Sequence, residues 1–300
     1  MIVIFFTFFL FASAIFVNKI LLGILPLSFF VGIRMLCAGV ILCLYTWKKH
    51  PLTIKQLKDD AVLLLFLSLF TTGLPTLLKA FALQHLNAAQ TTLLGSIDPF
   101  VTALYAYILW HEKLSWNKVV GIAFGLCGLL LAFNIEQRDV SALWQISLFL
   151  PQFAAIGAVI VGRLGWIMIQ KLLRNERYPG AQLNGIIMVL SGLFALIISY
   201  FVDDISILTL PIHTLSFWML LLFTIIVGNV IAYTSYANII KKHSMTLVSL
   251  AGFSVPLFVA ILSKIFQDIP LSPYFIAAAL LMLIGNLIFY KQELRQQKIL

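Results

Sequence analysis

The sequence predicts an all-α integral membrane protein, with ten transmembrane helices arranged as two inverted-topology five-helix repeats. Three observations lead there. Hydrophobic residues make up 62% of the 300 and charged ones only 10%, where a soluble domain carries about 25% charged residues. Apolar runs of spanning length recur from end to end. A pattern of glycine, proline, Leu-Ser and glycine occurs twice.

A spanning helix needs about 20 mostly apolar residues, because hydrocarbon offers the backbone no hydrogen-bond partners. The first span, 2–22, has no basic segment before it and is followed by further spans, so it reads as a helix and not a cleaved signal. The second, 27–47, carries Arg34 and Gly39. The third, 61–83, carries Lys79. The fourth, 89–111, holds Gly95, Asp98 and Pro99. The fifth, 115–134, opens on Ser115, a good N-cap, and is glycine-rich. The sixth, 146–170, carries Arg163 and Trp166. The seventh, 181–202, contains Gly192. The eighth, 215–238, contains Asn229, Tyr233 and Tyr236. The ninth, 244–265, has Gly252 and Pro256, and the tenth, 271–290, has Ala278 and Gly285. Pro51, Pro179, Pro211 and Pro270 fall in or beside the connections, where a missing N–H costs little. The expected units are a first repeat at 1–134, a second at 145–290 and a cytoplasmic tail at 291–300.

Lys and Arg set the orientation. With the N-terminus inside, the inner loops and tail hold 14 of them, and the outer loops only Arg138 and Lys264. Lys19, Arg34, Lys79 and Arg163 lie within spans. The bias explains the net charge of +9 as topology and removes the need for a nucleic-acid partner. Both termini are then cytoplasmic, and the membrane is a plasma (bacterial inner) membrane.

The repeat is read from fixed offsets. Gly95, Pro99, Leu114, Ser115 and Gly128 match Gly252, Pro256, Leu271, Ser272 and Gly285. Upstream, Asn18-Lys19 falls opposite Gln170-Lys171, and Gly39 opposite Gly192. Five spans per repeat is an odd number, so the second copy must enter the membrane from the opposite face. Duplicated, inverted membrane units build transporters with a site between the copies.

These residues also carry a family resemblance. Gly95-Ser-Ile-Asp-Pro99, then Trp110-His-Glu112-Lys-Leu114-Ser115, then Gly121-Ile-Ala-Phe-Gly125-Leu-Cys-Gly128 resembles the EamA-type domain of the drug/metabolite transporter superfamily. Asn18-Lys19 and Arg34 are similar to its first- and second-helix signatures. The resemblance spans nearly the whole chain as two domains. The second is more worn: Asp268 stands for glutamate, Pro270 interrupts the link, and no arginine stands opposite Arg34. It implies ten helices and alternating access by secondary transport. It also implies a cavity lined by helices one to four and six to nine, with five and ten as scaffold. It implies no particular substrate, and the family does not usually carry an acid at the position of Asp98.

Intramembrane charges are costly and mark partners or polar paths. Asp98 is the acid deepest in a span, and Thr91, Gly95, Thr102 and Tyr105 share its helical face. Pro99 removes one N–H beside it. Arg34 lies roughly 10 Å below the outer end of its span and Asp98 roughly 14 Å below its own. Lys19 and Lys79 are shallower. One carboxylate neutralises one cation, so the surplus would attract a carboxylate or phosphate, with Arg34 suited to bidentate binding. Against this stand a closed Arg34–Asp98 structural pair and snorkelling of Lys19 and Lys79. Arg163 is expected to snorkel or meet a backbone carbonyl, and Trp166 to pack or sit in the interfacial belt. Asn229, Tyr233 and Tyr236, at i, i+4 and i+7, face a cavity or glue helices together. The candidate substrate-binding or coupling residues are therefore Arg34, Asp98, Lys79, Asn18, Lys19, Asn229, Tyr233 and Tyr236.

Gly121, Gly125, Gly128, Ala278 and Gly285 allow close helix approach, within the chain or at a homodimer seam. Cys37, Cys43 and Cys127 lack metal-ligand spacing, the histidines lie near span ends without partners, and no cofactor or metal is expected. The inner loops offer no converging catalytic groups, which argues against a lipid-modifying membrane enzyme. The expected activity is transport of a small metabolite, an amino acid or organic anion before a bulky drug cation, with a proton on Asp98 as one route to coupling.

Overall fold

The computed structural model describes residues 2–47, 54–110, 116–133, 149–175, 178–203, 214–243, 248, 251–268 and 272–297. The described residues are helical, with no strand among them. In chain order they form α1 (Ile2–Leu22), α2 (Leu27–Trp47), the short α3 (Ile54–Asp59), α4 (Ala61–His85) and α5, which runs Ala88–Leu94, Gly95–Ile97 and Asp98–Trp110. There follow α6 (Trp116–Phe133), α7 (Leu150–Arg174), α8 (Gly180–Val202), α9 (Leu215–Lys242), α10 (Ser254–Gln267) and α11 (Pro273–Gln297).

Seven of the described helices, α1, α2, α4, α5, α7, α8 and α9, are long and apolar enough to cross a membrane. Three expected spans are shorter as apolar helices: Val119–Leu131, Ser254–Gln267 and Pro273–Ile288. For the ninth, most of the predicted start at 244–250 lies outside the described residues, and α10 begins only after a turn at Gly252 and Phe253. At the C-terminus, α11 continues as helix to Gln297, through most of the expected tail. The expected corner residues Glu112 and Ser115 lie outside the described residues. The outward helix faces are apolar and uncovered, as at Leu44, Ile197, Trp218 and Leu287, and exposure on this scale marks a lipid-facing surface. The chain is an integral membrane protein.

Glycines decide where helices meet. Helix α2 lies against α8, and α6 against α11. A Cβ on Gly39 would come within 2.6 Å of Val189 N, and one on Gly192 within 2.5 Å of Leu36 N. One on Gly285 would lie 2.6 Å from Gly121 O, and one on Gly128 2.9 Å from Ala278 O. The backbones are therefore in direct contact, and only glycine fits. The Gly121/Gly125/Gly128 face is consumed inside the chain against α11, so it is not open for a second copy.

Two helices loosen midway along their length. A π-helical stretch occupies Ser68–Gly73 of α4, and another occupies Thr224–Ile231 of α9. Widened turns free carbonyls that must find other donors in lipid. Ser191 Oγ on α8 supplies one, donating to Ser68 O at 2.7 Å. Thr72 and Ser191 hydroxyls lie 2.6 Å apart beside it. Helix α5 tightens instead, through a 3-10 turn at Gly95–Ile97 in which Asp98 N donates to Gly95 O. Pro99 cannot continue the ladder, and this shorter bond replaces the missing one. Before α10, Val255 N donates to Gly252 O at 3.0 Å in the same pattern.

Candidate functional site

The helices surround a cavity of about 280 Å³. It is lined from α1, α2, α4, α5, α7, α9 and the turn into α10; α8, the seventh span, contributes nothing to the wall and instead braces α2 and α4. The lining divides into a basic end and an aromatic end.

The basic end is built by Arg34 and Lys79, with Asn18 and Asn229 in the same wall. Arg34 is 6% exposed, and its Nε has no hydrogen-bond partner among the described residues. Its guanidinium carbon stands 5.0 Å from the centre of the Phe30 ring, a cation–π contact. Lys79 is near enough to repel it. Among the described residues no carboxylate pairs with either cation. Asn18 Oδ1 is buried and unpartnered. Asn229 lies in the π-helical stretch of α9, and its Nδ2 donates to Arg34 O at 3.4 Å, so it ties α9 to α2 as well as lining the wall.

Asp98 does not pair with Arg34. It pairs with Arg163 of α7, whose Nε donates to Asp98 Oδ1 at 2.6 Å while Nη2 meets Oδ2. This corrects the expectation that Arg163 snorkels or finds a backbone carbonyl. Two turns of α7 bring it here. Ala155, Ala158, Gly162, Arg163 and Trp166 share one face, and small side chains along it let α7 press on α4 and α5. That spacing was legible in the sequence and is the signal that would have found Arg163 and Trp166. The Asp98 face also divides. Thr91, Gly95 and Asp98 line the cavity, but Thr102 donates to Asp98 O and Tyr105 to Ile160 O. Three residues at the 3-10 repeat rotate the rest of α5 by about 60° from a regular helix, so the stripe leaves the wall after Asp98.

Lys19 is accounted for structurally. Its Nζ donates to Leu83 O at 2.8 Å and to Gln84 O at 3.2 Å, the last carbonyls of α4. A cation suits that negative helix end. Lys19 therefore turns away from the cavity, although its neighbour Asn18 faces it.

The aromatic end holds Phe8, Phe11, Trp166, Tyr233 and Tyr236. Trp166 and Tyr236 meet edge to face, centres 4.7 Å apart. Phe11 stands 5.2 Å from Tyr233, and Trp166 5.9 Å from it. Tyr233 adjoins both ends, since its ring meets Phe11 and Trp166 and it lies near enough to Arg34 to interact with its charge. Toward the predicted inner face, apolar Leu64, Leu67, Ile169 and Ile240 belong to one buried cluster. Tyr178 OH donates to Asp60 Oδ2 at 2.5 Å, and Gln170 Nε2 to Ile240 O at 2.8 Å.

A cavity among membrane-spanning helices, mostly apolar but with two cations and an ion pair in its wall, is the architecture of a membrane transporter. The chain belongs to the EamA-like transporter family, whose model matches residues 1–134 and 150–291. It is a transporter and not an enzyme. It is 27% identical over 276 residues to the S-adenosylmethionine/S-adenosylhomocysteine transporter of Chlamydia trachomatis serovar L2, covering 91% of this chain and 83% of that one. The protein of the same name from Chlamydia muridarum is 25% identical over 296 residues, 97% and 92% of the two chains. The uncharacterized transporter YvbV of Bacillus subtilis is 22% identical, over 94% and 88%. A crystal structure of another protein superposes with a TM-score of 0.68 at 16% identity, over 95% of this chain and 94% of that one, and shares the fold.

Proposed function

We propose that the chain is a secondary transporter that carries a small carboxylate-bearing metabolite across a bacterial inner membrane by alternating access. The observation that carries this is the pair of cations, Arg34 and Lys79, lining one cavity with no acid paired to either among the described residues. A buried Arg34 and a half-buried Lys79 without a counter-charge beside them among the described residues are expensive. A bound carboxylate or phosphate would compensate them, and Arg34 can grip it with two parallel N–H groups. The chlamydial relatives are named for S-adenosylmethionine and S-adenosylhomocysteine, which are amino acids and bring an α-carboxylate. A bulky drug cation fits this charge balance poorly.

The ten-helix inverted repeat belongs to this reading, and the helix pairings support it. A two-fold relating span n to span n+5 maps α2/α8 and α6/α11 onto themselves, and it exchanges α4/α7 with α9/α1. All four pairs are in contact. The crossing of Gly165 with Thr71 and the crossing of Gly228 with Ala14 are then counterparts. So are the two π-helical stretches, whose first residues, Ser68 and Thr224, match within a residue of the motif offset. Rocking of one half against the other would open the cavity to each side in turn, with the cluster of Leu64, Leu67, Ile169 and Ile240 as the inner gate and both termini cytoplasmic. A proton on Asp98 would compete with Arg163 for the carboxylate, so proton coupling would run through the opening of that pair. It would fail as an idea if Asp98→Asn kept accumulation driven by a pH gradient.

The test is thermal stabilisation of purified protein by a panel of amino acids, organic acids, phosphates and organic cations. A carboxylate or phosphate compound should raise the melting temperature of the wild type and not of a folded Arg34→Ala variant. Stabilisation by cations alone, undiminished in Arg34→Ala, would overturn the reading.

A further inference from the structure

We infer that the aromatic end of the cavity is a ring subsite, in which Phe11, Trp166 and Tyr233 take the faces of a neutral nitrogen heterocycle, a nucleobase, and the Asp98–Arg163 pair reads its edge. The inference rests on the carboxylate reading of Arg34 and Lys79, and together they make the substrate an amino acid that carries a nucleoside.

Four observations carry it. First, Phe11, Trp166 and Tyr233 are only half-buried although they lie inside the bundle and line the cavity, while Phe8 and Tyr236 behind them are buried. Aromatics recruited only for packing would be covered by protein. These three keep surface turned toward the void, and a planar ring covers such surface by stacking. Second, Asp98 and Arg163 neutralise each other, so the end carries no net charge to draw an ion. An aromatic cage for an onium cation needs a free negative charge beside it, and here the Asp98 carboxylate is already spent on Arg163, which also approaches the Tyr236 hydroxyl at 3.5 Å. Third, the pair presents an acceptor and a donor side by side. An amidine edge, an amino group next to a ring nitrogen, offers the complementary donor and acceptor. Asp98 keeps 22% of its side chain exposed, toward the cavity it lines. Fourth, Tyr233 stands between the two ends, in ring contact with Phe11 and Trp166 and electrostatically coupled to Arg34. One molecule can therefore engage both.

The experiment is a set of binding isotherms on the purified full chain with four probes: S-adenosylhomocysteine (ring and carboxylate), methionine (carboxylate), adenosine (ring) and choline (onium). Wild type should bind S-adenosylhomocysteine about tenfold or more tighter than methionine, and adenosine measurably. Trp166→Leu should bring S-adenosylhomocysteine down to the methionine level without changing methionine. Trp166→Phe, which keeps an aromatic face, should retain most of the affinity. Equal binding of methionine and S-adenosylhomocysteine would overturn the ring subsite and leave the carboxylate reading standing. Adenosine binding with methionine and S-adenosylhomocysteine no better would overturn the carboxylate reading and leave the ring subsite standing. Tight choline binding lost in Trp166→Leu would replace the ring subsite by a cation cage, and no binding of any probe would overturn both.

Discussion

The carboxylate of Asp98 on α5 is held by the guanidinium of Arg163 on α7, and this pairing sets the charge of the whole cavity. It spends the one acid in the wall on a cation from the second half of the chain. Arg34 and Lys79, in the same lining, have no carboxylate partner among the described residues. The pair also joins the two halves, so it is placed to respond when they move.

Removing one member should be worse than removing both. Asp98→Asn strands Arg163 in a buried site and should cost about 3–5 kcal/mol, as breaking buried ion pairs does. Asp98→Asn combined with Arg163→Gln should recover much of that. Melting temperatures of the three variants in detergent check this. Additive losses would mean the pair does not act as a unit.

The cations divide into one lysine bound to a helix end and two groups that line the cavity. Lys19→Met releases the terminal carbonyls of α4 and should lower stability by up to about 1 kcal/mol, leaving substrate affinity unchanged. Arg34→Ala should weaken a carboxylate substrate by about 10- to 100-fold, the worth of charge-assisted hydrogen bonds. Titration calorimetry on both variants separates the two roles.

Helix contact should fail where backbone meets backbone. Gly285→Val drives a side chain into Gly121 O and Gly125 N and should cost about 1–3 kcal/mol. Gly95→Ala meets only Val159 Cγ2 at 3.9 Å and should be tolerated. Melting temperatures compare them, and an equal loss at both sites would contradict the packing described.

The inner gate should loosen on loss of one hydroxyl. Tyr178 and Asp60 are 2% and 4% exposed, and their hydrogen bond lies beside the inner apolar cluster. Tyr178→Phe should raise the population open at that end, read as faster maleimide labelling of a Leu67→Cys reporter in a background lacking Cys37, Cys43 and Cys127. Unchanged labelling would remove this bond from the gate.

Much of the architecture could be read because hydrocarbon imposes length and composition, which sequence displays directly. The glycine offsets were legible for the same reason: Gly39 and Gly192 sit where no Cβ fits. The site was legible one helix at a time. Arg34, Asn18, Lys79, Asn229, Tyr233, Tyr236 and Asp98 all reach the cavity, but who pairs with whom depends on how helices cross. Asp98 could have met Arg34 or Arg163 until the small-residue face of α7 brought the second closer. The π-helical stretches were invisible for a related reason. They depend on donors from other helices, such as Ser191, that no local pattern reveals.

The most direct measurement is counterflow of labelled S-adenosylhomocysteine into proteoliposomes preloaded with the unlabelled compound, for wild type and Arg34→Ala. The account predicts saturable uptake by wild type and its loss in a variant that still folds and reconstitutes. Uptake by Arg34→Ala at the wild-type rate and affinity would contradict it.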